Sequence, residues 1–532
     1  MSAAPTGSPL RQRTFAVLWV ATIAGNIGSF MRDVASAWVV TDLSPSPAAV
    51  ALIQAAATLP VFLLAIPAGV LSDILDRRRF LIAIQLLLAA VSGTLMLLAH
   101  FQALTLPWLL LLTLLGGVGA ALMGPTWQSI VPELVPREQL RDAVALNSLG
   151  VNVARALGPA AGGLLLGLAG APVTYGTDVL SYLMVITALL WWRRPAPGPD
   201  PMAEQFASAL RAGLRYTRAS PELHRVLLRA VLFFASASAV WALLPLVARE
   251  LLRGDASFYG LLLGAVGLGA IAGALMLPRL RARLDSDGLL LAAGLSAAAV
   301  LALLALAPPK ALALALMALL GMAWIVALTT LGGAAQAILP NWVRGRGLAV
   351  YLTVFNGALT LGSLAWGAVA QWSGIPAALL IAAASLAISS MVARAWALPR
   401  SEADPLPFVH WPEPPQPAAD AEMARGPVIV QIEYRVASAN RPAFLHKLQE
   451  LALVRRRDGA SAWGVAEDLE RPELLVEWFI VESWAEHQRQ HRRGSHADAD
   501  LQQTLRQWHT GEQAPAVRHL LALSPECRHK GP

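Results

Sequence analysis

The stretch Gly69–Phe80 reads GVLSDILDRRRF, and it joins two apolar runs through a handful of polar residues. Those runs, 48–71 and 80–99, each hold the roughly 20 residues that a helix needs to cross a bilayer. A link this short holds the ends of its two helices together. Ten further runs have the same character: 14–40, 104–127, 143–168, 173–192, 225–248, 257–278, 288–307, 311–335, 347–371 and 375–397. The first, Thr14 to Val40, is too long for the apolar core of a signal peptide and reads as a span that stays in the membrane.

The stretch also recurs. Gly273–Leu284 reads GALMLPRLRARL, 204 positions later, with Gly69, Leu71, Arg77 and Arg79 matched by Gly273, Leu275, Arg281 and Arg283. At a shift of 208, Gln128, Ile130, Pro132 and Val135 meet Gln336, Ile338, Pro340 and Val343. At 204 again, Asn152, Ala154, Gly158 and Gly163 meet Asn356, Ala358, Gly362 and Gly367. Duplicated six-span halves mark a large class of secondary transporters whose substrate site lies between the halves. The differences between the copies are as telling: Asp73, Asp76, Arg155 and Pro159 face Leu277, Leu280, Leu359 and Ser363. The packing residues repeat, and these four charged or kinking ones do not.

Composition agrees. Of 532 residues, 56% are hydrophobic and 14% charged, where a soluble chain carries about 25% charged. The single cysteine, Cys527, excludes an intrachain disulfide and a cysteine zinc cage. The net charge of +7 lies in arginines placed between apolar runs, so membrane topology explains it and no nucleic-acid partner is expected. Arg11, Arg13, Arg77–Arg79, Arg137, Arg141, Arg193, Arg194, Arg279–Arg283, Arg344 and Arg346 fall on one side; Arg249, Arg253 and Lys310 fall on the other. The positive-inside rule then puts both termini in the cytoplasm of a multi-pass membrane protein.

Several side chains carry chemistry. Asp73, Asp76 and Arg77, Arg78 and Arg79 form a charged cluster after Gly69 that reads as a conformational latch, because topology alone would not need two aspartates. In NVARALGPAAGG (Asn152–Gly163), the glycines Gly158, Gly162 and Gly163 allow close helix packing. Pro159 removes a backbone hydrogen bond and bends the span. An arginine in a span costs at least about 2.5–3.5 kcal/mol, so Arg155 needs a role. Two fit: facing a substrate cavity, or capping carbonyls freed by Pro159. Asp33 and Asp178 are candidate proton carriers. Arg32 and Asp33 are adjacent, so they leave a helix about 100° apart and need not pair. Asn26, Asn152, Asn356 and Trp324 are candidate cavity residues, although an interhelical hydrogen bond is the alternative for each asparagine.

These residues carry a resemblance. Gly69-x-Leu71-x-Asp73 with Asp76-Arg77-Arg78-Arg79 resembles the loop signature of the major facilitator superfamily. Gly158-Pro159-x-x-Gly162-Gly163 is similar to the span-five motif of that superfamily's exporters. GPTWQSIVPELVPREQL with ALNSLGVNVARALGPAAGG resembles the branch that includes enterobactin-type siderophore exporters, and the likeness covers residues 10–398. Two positions depart from the pattern. Asp76 stands where glycine is usual, and Thr113 stands where the family's span four carries an arginine assigned to proton coupling. The resemblance suggests that Arg155 substitutes for it.

A proline-rich linker precedes a different kind of sequence. PVIVQIEYRV, SAWGVAED, ELLVEWFIVES and AVRHLLAL alternate as strands. RPAFLHKLQELALVRRR, WAEHQRQHRR and DADLQQTLRQWH read as helices between them. The β-α-β-β-α-β order is the ferredoxin-like plan, and it is similar in pattern to antibiotic-biosynthesis monooxygenase domains, which implies dimerisation. Trp463 and Trp478 are expected to fill its interior. His487 and His491 have a metal-capable spacing, but Gln488, Arg489, Gln490 and Arg492 around them favour a solvated face, so no metal and no cofactor is expected. No nucleophile–base set or phosphate loop is present in the sequence, so the tail reads as regulatory, dimerising or ligand-sensing.

The expected fold is therefore an all-α polytopic membrane protein of twelve transmembrane helices in two six-helix halves, followed by a ferredoxin-like α+β domain. Its segments are 1–192, 193–224, 225–398, 399–426 and 427–532. The expected function is export of a siderophore- or drug-class small molecule in exchange for protons, in contact with membrane lipid. Uptake on the same fold, or a membrane-tethered monooxygenase-like enzyme, is the alternative.

Overall fold

The computed structural model describes residues 8–192, 215–218, 220–340, 343–398, 426–491 and 496–522. The chain divides into two compact units. One holds 1–201, 225–334 and 349–399; the other holds 202–224, 335–348 and 400–532.

The first unit is helical. Its elements are α1 (Arg13–Leu43), α2 (Pro47–Ile74), α3 (Arg77–His100), α4 (Leu106–Leu134), α5 (Leu140–Trp191), α6 (Pro221–Leu246), α7 (Ala256–Arg281), α8 (Ser286–Ala305), α9 (Lys310–Ile338), α10 (Arg344–Ser373) and α11 (Ile375–Val392). Among the described residues, eleven helices are long and apolar enough to cross a membrane. Proline at the first turn, as at Pro47 and Pro376, starts a helix without losing a bond. Aspartates start others: Asp76, Asp255 and Asp285 accept from the backbone N–H of Arg79, Phe258 and Gly288.

The element α5 is 52 residues long, but its helical backbone breaks at Gly170, where φ is +80°. The equivalent position in the repeat, Gly374, has φ +81° and separates α10 from α11. Each glycine is followed two residues later by a proline, Pro172 or Pro376. Only glycine takes this backbone angle readily, so the same device turns the chain in both copies.

The glycines of the repeat make matching joints. A Cβ on Gly158 would lie 2.7 Å from Phe30 of α1, and one on Gly362 would lie 2.6 Å from the Ala235 carbonyl of α6. A Cβ on Gly163 would lie 2.5 Å from Gly260 of α7, and one on Gly367 would lie 2.4 Å from Ala51 of α2. Without a hydrophobic force between helices in lipid, such close backbone approach supplies the association.

The second unit contains a four-stranded sheet in the order β2-β3-β1-β4. The strands are β1 (Val428–Arg435), β2 (Ala460–Glu467), β3 (Leu474–Val481) and β4 (Ala516–Leu521), and every neighbouring pair is antiparallel. Helix α12 (Arg441–Asp458) follows β1; α13 (Trp484–His491) and α14 (His496–Gln507) precede β4. Residues alternate along β1 between buried and half-buried, as the sequence pattern requires. Phe444, Leu448 and Leu451 of α12 close on Phe479 and Val481 of β3 to form the core. Within it Glu477 is fully buried, and Tyr434, Arg455 and Trp463 all donate to its carboxylate at 3.1–3.2 Å. Trp463 therefore does more than fill space: it helps satisfy a buried charge.

The same unit includes Arg215 and Tyr216. Arg215 lies 3.5 Å from Glu486 of α13, the Tyr216 hydroxyl donates to the Ile338 carbonyl at 3.0 Å, and Arg457 stacks over the Tyr216 ring. The linker preceding α6 and the α9 end thus belong to the tail's compact unit, which the sequence pattern did not suggest.

Candidate functional site

Arg32 is the centre of a buried polar cluster in the first unit. It lies on α1 with its side chain 10% exposed. Its Nη2 donates to Asp33 Oδ1 at 2.9 Å and its Nη1 to the Tyr182 hydroxyl at 2.9 Å. Nη1 also lies 3.6 Å from Asp178 Oδ2. Asp178, on the second arm of α5, is fully buried and accepts from Ser92 of α3 at 2.7 Å and from Ser181 at 3.3 Å. Ser29 and Tyr182 share a further bond at 2.8 Å. Residues from α1, α3 and α5 thus share one network, which is what a charge inside a membrane requires.

Gly28 makes this approach feasible. A Cβ there would fall 2.2 Å from Ser181 Oγ and 2.7 Å from Asp178 Oδ1. Arg32 and Asp33 pair although a helix points them about 100° apart. The long guanidinium arm bends back along the helix to the short carboxylate, so side-chain reach overrides the wheel angle. Asp33 keeps its other flank open, with a side chain 57% exposed.

Arg32 and Asp33 line a small, partly open cleft with Ser36, Thr113, Gly116 and Gly117. A Cβ on Gly116 would come within 3.7 Å of the Arg32 guanidinium. The Thr113 hydroxyl, on the same wall, makes no hydrogen bond among the described residues. An arginine missing from α4 at Thr113 is therefore met, across the same cleft, by an arginine from α1. Sequence reasoning did not single out Arg32; its signal was its place in a span beside the proton-carrier candidate Asp33.

Arg155 stands elsewhere and is held differently. Gly158 abuts Ile27 and Phe30, and Gly162 abuts Met31. At 1.5 Å per residue, Arg155 is roughly 10 Å along the membrane from Arg32. It is half-buried, and among the described residues its one hydrogen bond is to Asn152 at 3.5 Å. Asn152 also donates to the Ser148 carbonyl, and Asn356 to the Leu352 carbonyl. These bonds are to the preceding turn of the same helix, not across helices. Asn26 is half-buried on α1. Trp324 sits in an aromatic cluster: Phe234 at 5.1 Å, Trp241 at 5.2 Å and Phe233 at 6.5 Å between ring centres, with Phe355 on Phe234 at 4.5 Å.

The span-five motif divides its work between two neighbours. Gly158 and Gly162 face α1, while Gly163 faces α7 of the other half. The Pro159 carbonyl lies 2.7 Å from where a Cβ on Gly260 would sit. The loop cluster is tied inside its own half. Asp76 caps α3, Arg77 pairs with Glu133 of α4 at 2.7 Å, and Arg78 donates to the Leu189 and Leu190 carbonyls at 2.8 Å. The backbone at Gly69 has open space around it. The side chain of Asp73 lies outside the described residues. Glu133 was not foreseen, because nothing in a single helix shows which loop its end meets.

Further ties join the halves at the end carrying the α1–α2 link. Arg249 pairs with Asp42 and donates to Thr41, and Ser46 donates to Gln371 at 2.8 Å. Deeper along the same seam, Thr58 and Thr360 share a bond at 2.7 Å.

In the second unit, His487 is buried and burial, with the neighbouring rings of His491 and His519, pushes it down to about 3. This corrects the expectation of a solvated histidine face: α13 turns His487 inward and leaves Arg489 at the surface beside Glu486.

Comparison with known proteins bears on the fold and the family. The enterobactin exporter EntS of Escherichia coli is 33% identical over 228 residues, 42% of this chain and 54% of that protein. The staphyloferrin A transporter of Staphylococcus aureus is 23% identical over 256 residues, 48% of this chain and 64% of that one. The aligned region thus spans between about half and two thirds of these relatives' length. The crystal structure of a bacterial homolog of the human lysosomal transporter Spinster, inward-facing and occupied, superposes with a TM-score of 0.58 at 16% identity, covering 74% of this chain and 97% of that one. The nucleoside transporter NupG gives 0.59 at 12%, covering 72% and 99%. The model of the transmembrane secretion effector family matches residues 4–526, and the chain belongs to that family of major facilitator membrane transporters.

Proposed function

We propose that this member of the transmembrane secretion effector family exports an organic anion of the siderophore class across a bacterial inner membrane, in exchange for protons and by alternating access. The observation that carries this reading is the Arg32–Asp178–Asp33 cluster on a cleft in the first half. One guanidinium faces two carboxylates, one buried and one open to the cleft. A proton arriving on either carboxylate weakens its hold on Arg32 and shifts the guanidinium toward the other. That is a charge rearrangement between two packed states, as coupling requires.

Arg155 has the complementary role. Arg32 is saturated by its partners, whereas Arg155 has one long bond to Asn152 and is available to a substrate anion. The aromatic cluster around Trp324, on the opposite half, offers an apolar wall. Asn26 and Asn356 are further cavity candidates. The relatives' names, enterobactin exporter and staphyloferrin A transporter, support the substrate class.

Counting the arms of α5 on either side of Gly170 separately gives the twelve spans of two six-helix halves. The arginine distribution supports a cytoplasmic position for the α2–α3 loop and both termini. The joints at Arg249–Asp42 and Ser46–Gln371 then close the outer side, and the open space at Gly69 supports an inward-facing state, with Asp73, Asp76 and Arg77–Arg79 as the latch that re-engages on closure. The β2-β3-β1-β4 order supports the ferredoxin-like plan for 427–532, after a linker at 399–426, and the exposed Val517, Leu520 and Leu521 on edge strand β4 support tail-to-tail pairing. The transport halves are 1–192 and 225–398, joined by 193–224.

The test is transport in proteoliposomes of purified full-length protein, with enterobactin and staphyloferrin A as probes and an imposed pH gradient. Movement that a protonophore abolishes supports exchange. A folded protein that moves neither compound under any gradient overturns the reading. Labelling of the single Cys527 by an impermeant maleimide in oriented vesicles checks the orientation: it reacts from the cytoplasmic face only.

A further inference from the structure

We propose that His487, His491 and His519 form a binding site for a divalent transition metal of the zinc class in the C-terminal unit. The three residues come from two elements. His487 and His491 lie one turn apart on α13, and His519 lies on β4. A ring nitrogen from each lies within 4.8 Å of the others. The Nε2 atoms of His487 and His491 are 3.2 Å apart, and the ring centres of His487 and His519 are 4.8 Å apart. Two nitrogens bound to one tetrahedral zinc ion at its usual bond length lie about 3.3 Å apart. The helical pair is therefore already at ligating separation, and a modest rotation of His519 completes a three-nitrogen face.

The surroundings orient the set. His487 Nδ1 lies 3.3 Å from Gln490 Oε1. When Nδ1–H donates to that carbonyl, Nε2 carries the free lone pair and points at His491. Metal-ligating histidines are held in this way by an outer partner. Trp484 flanks His487 and His519, each at 5.4 Å between ring centres, and Phe479 lies beyond His487 at 6.4 Å. These rings restrict solvent around the nitrogens.

Ligand chemistry selects the metal class. Every donor is an imidazole, which suits zinc, copper, nickel and iron. Calcium and magnesium demand oxygen ligands, and the nearest carboxylate on the helix, Glu486, is engaged by Arg489 and Arg215. Three protein ligands leave a fourth position for water or another small ligand. A ring cluster formed only by packing is the competing explanation, and it makes the opposite forecast.

The experiment uses full-length protein in detergent, stripped with a chelator and titrated with Co²⁺ as a spectroscopic probe and with Zn²⁺ by calorimetry. The expected result is one equivalent bound, with the visible absorption of tetrahedral cobalt, and a thermal unfolding temperature that rises with zinc. His519→Gln and His491→Gln each weaken binding at least about tenfold and lose that spectrum; His446→Gln, at an exposed position on α12, changes nothing. Far-ultraviolet circular dichroism of each variant confirms folding. Absence of stoichiometric binding in the native chain, or binding unaltered in folded His519→Gln and His491→Gln, overturns the proposal.

Discussion

Gly163 meets Gly260, and Gly367 meets Ala51: one joint built twice, once in each half. Arg155 faces Leu359 in the repeat: a charge placed once. The two comparisons, on the same pair of helices, separate the packing that the copies share from the charge that they do not. Close backbone packing is needed wherever the halves meet, so the glycines survive in both copies. A buried charge costs stability wherever it is put, so the two copies need not share it. The charged cluster at Arg32 follows the same rule, since it lies wholly in the first half.

The largest expected effect breaks that cluster. Asp178→Ala leaves Arg32 with Asp33 and Tyr182 alone and destabilises the detergent-solubilised protein by about 3 kcal/mol, the low end for breaking a buried pair. Equal unfolding temperatures of variant and native chain would detach Asp178 from Arg32. Next comes the duplicated joint. Gly163→Val and Gly367→Val each overpack a contact where even a Cβ does not fit, at about 1–3 kcal/mol apiece. Similar losses in thermal unfolding sharpen the equivalence of the halves, and a neutral variant on one side breaks it. Helix starts give a smaller effect. Asp76→Ala and Asp285→Ala each remove a cap worth about 1 kcal/mol. The two losses should match in denaturant unfolding, because the caps serve equivalent helices; an additional transport defect confined to Asp76→Ala would mark the latch.

The smallest effect lies in the tail, which has no counterpart in either half. His487, facing His491 on its own helix, His519 on β4 and Arg455 on α12, is held near 3 against an ordinary 6.5. In the metal-free protein the unfolded chain takes up this proton first, so the stabilisation is complete above about pH 6.5 and is lost as pH falls toward 3. Between pH 7 and pH 6 the loss is somewhat under about 1 kcal/mol. Tail unfolding that is flat with pH, or equally steep in His487→Gln, would contradict the burial.

Much of this was legible beforehand. The loop GVLSDILDRRRF, its echo at Gly273 and the glycines of span five located the membrane helices and the joints, because spacing alone dictates packing in a repeat. The tail's strands were legible from alternation. Three things were not. The pairing of Arg32 with Asp33 depends on side-chain reach, which a helical wheel ignores. The bond from Ser92 to Asp178, and that from Arg77 to Glu133, join helices whose facing the sequence does not encode locally. His519 was missed because spacing rules find partners on one helix, and its partners are brought to it by the sheet.

The measurement that tests the central claim most directly compares native protein with Asp178→Asn in proteoliposomes, scoring substrate exchange without a gradient and accumulation with an imposed pH gradient. If the first-half cluster couples protons to transport, the variant keeps exchange and loses gradient-driven accumulation. Accumulation equal to that of the native protein would contradict the account and leave the cluster with a purely structural role.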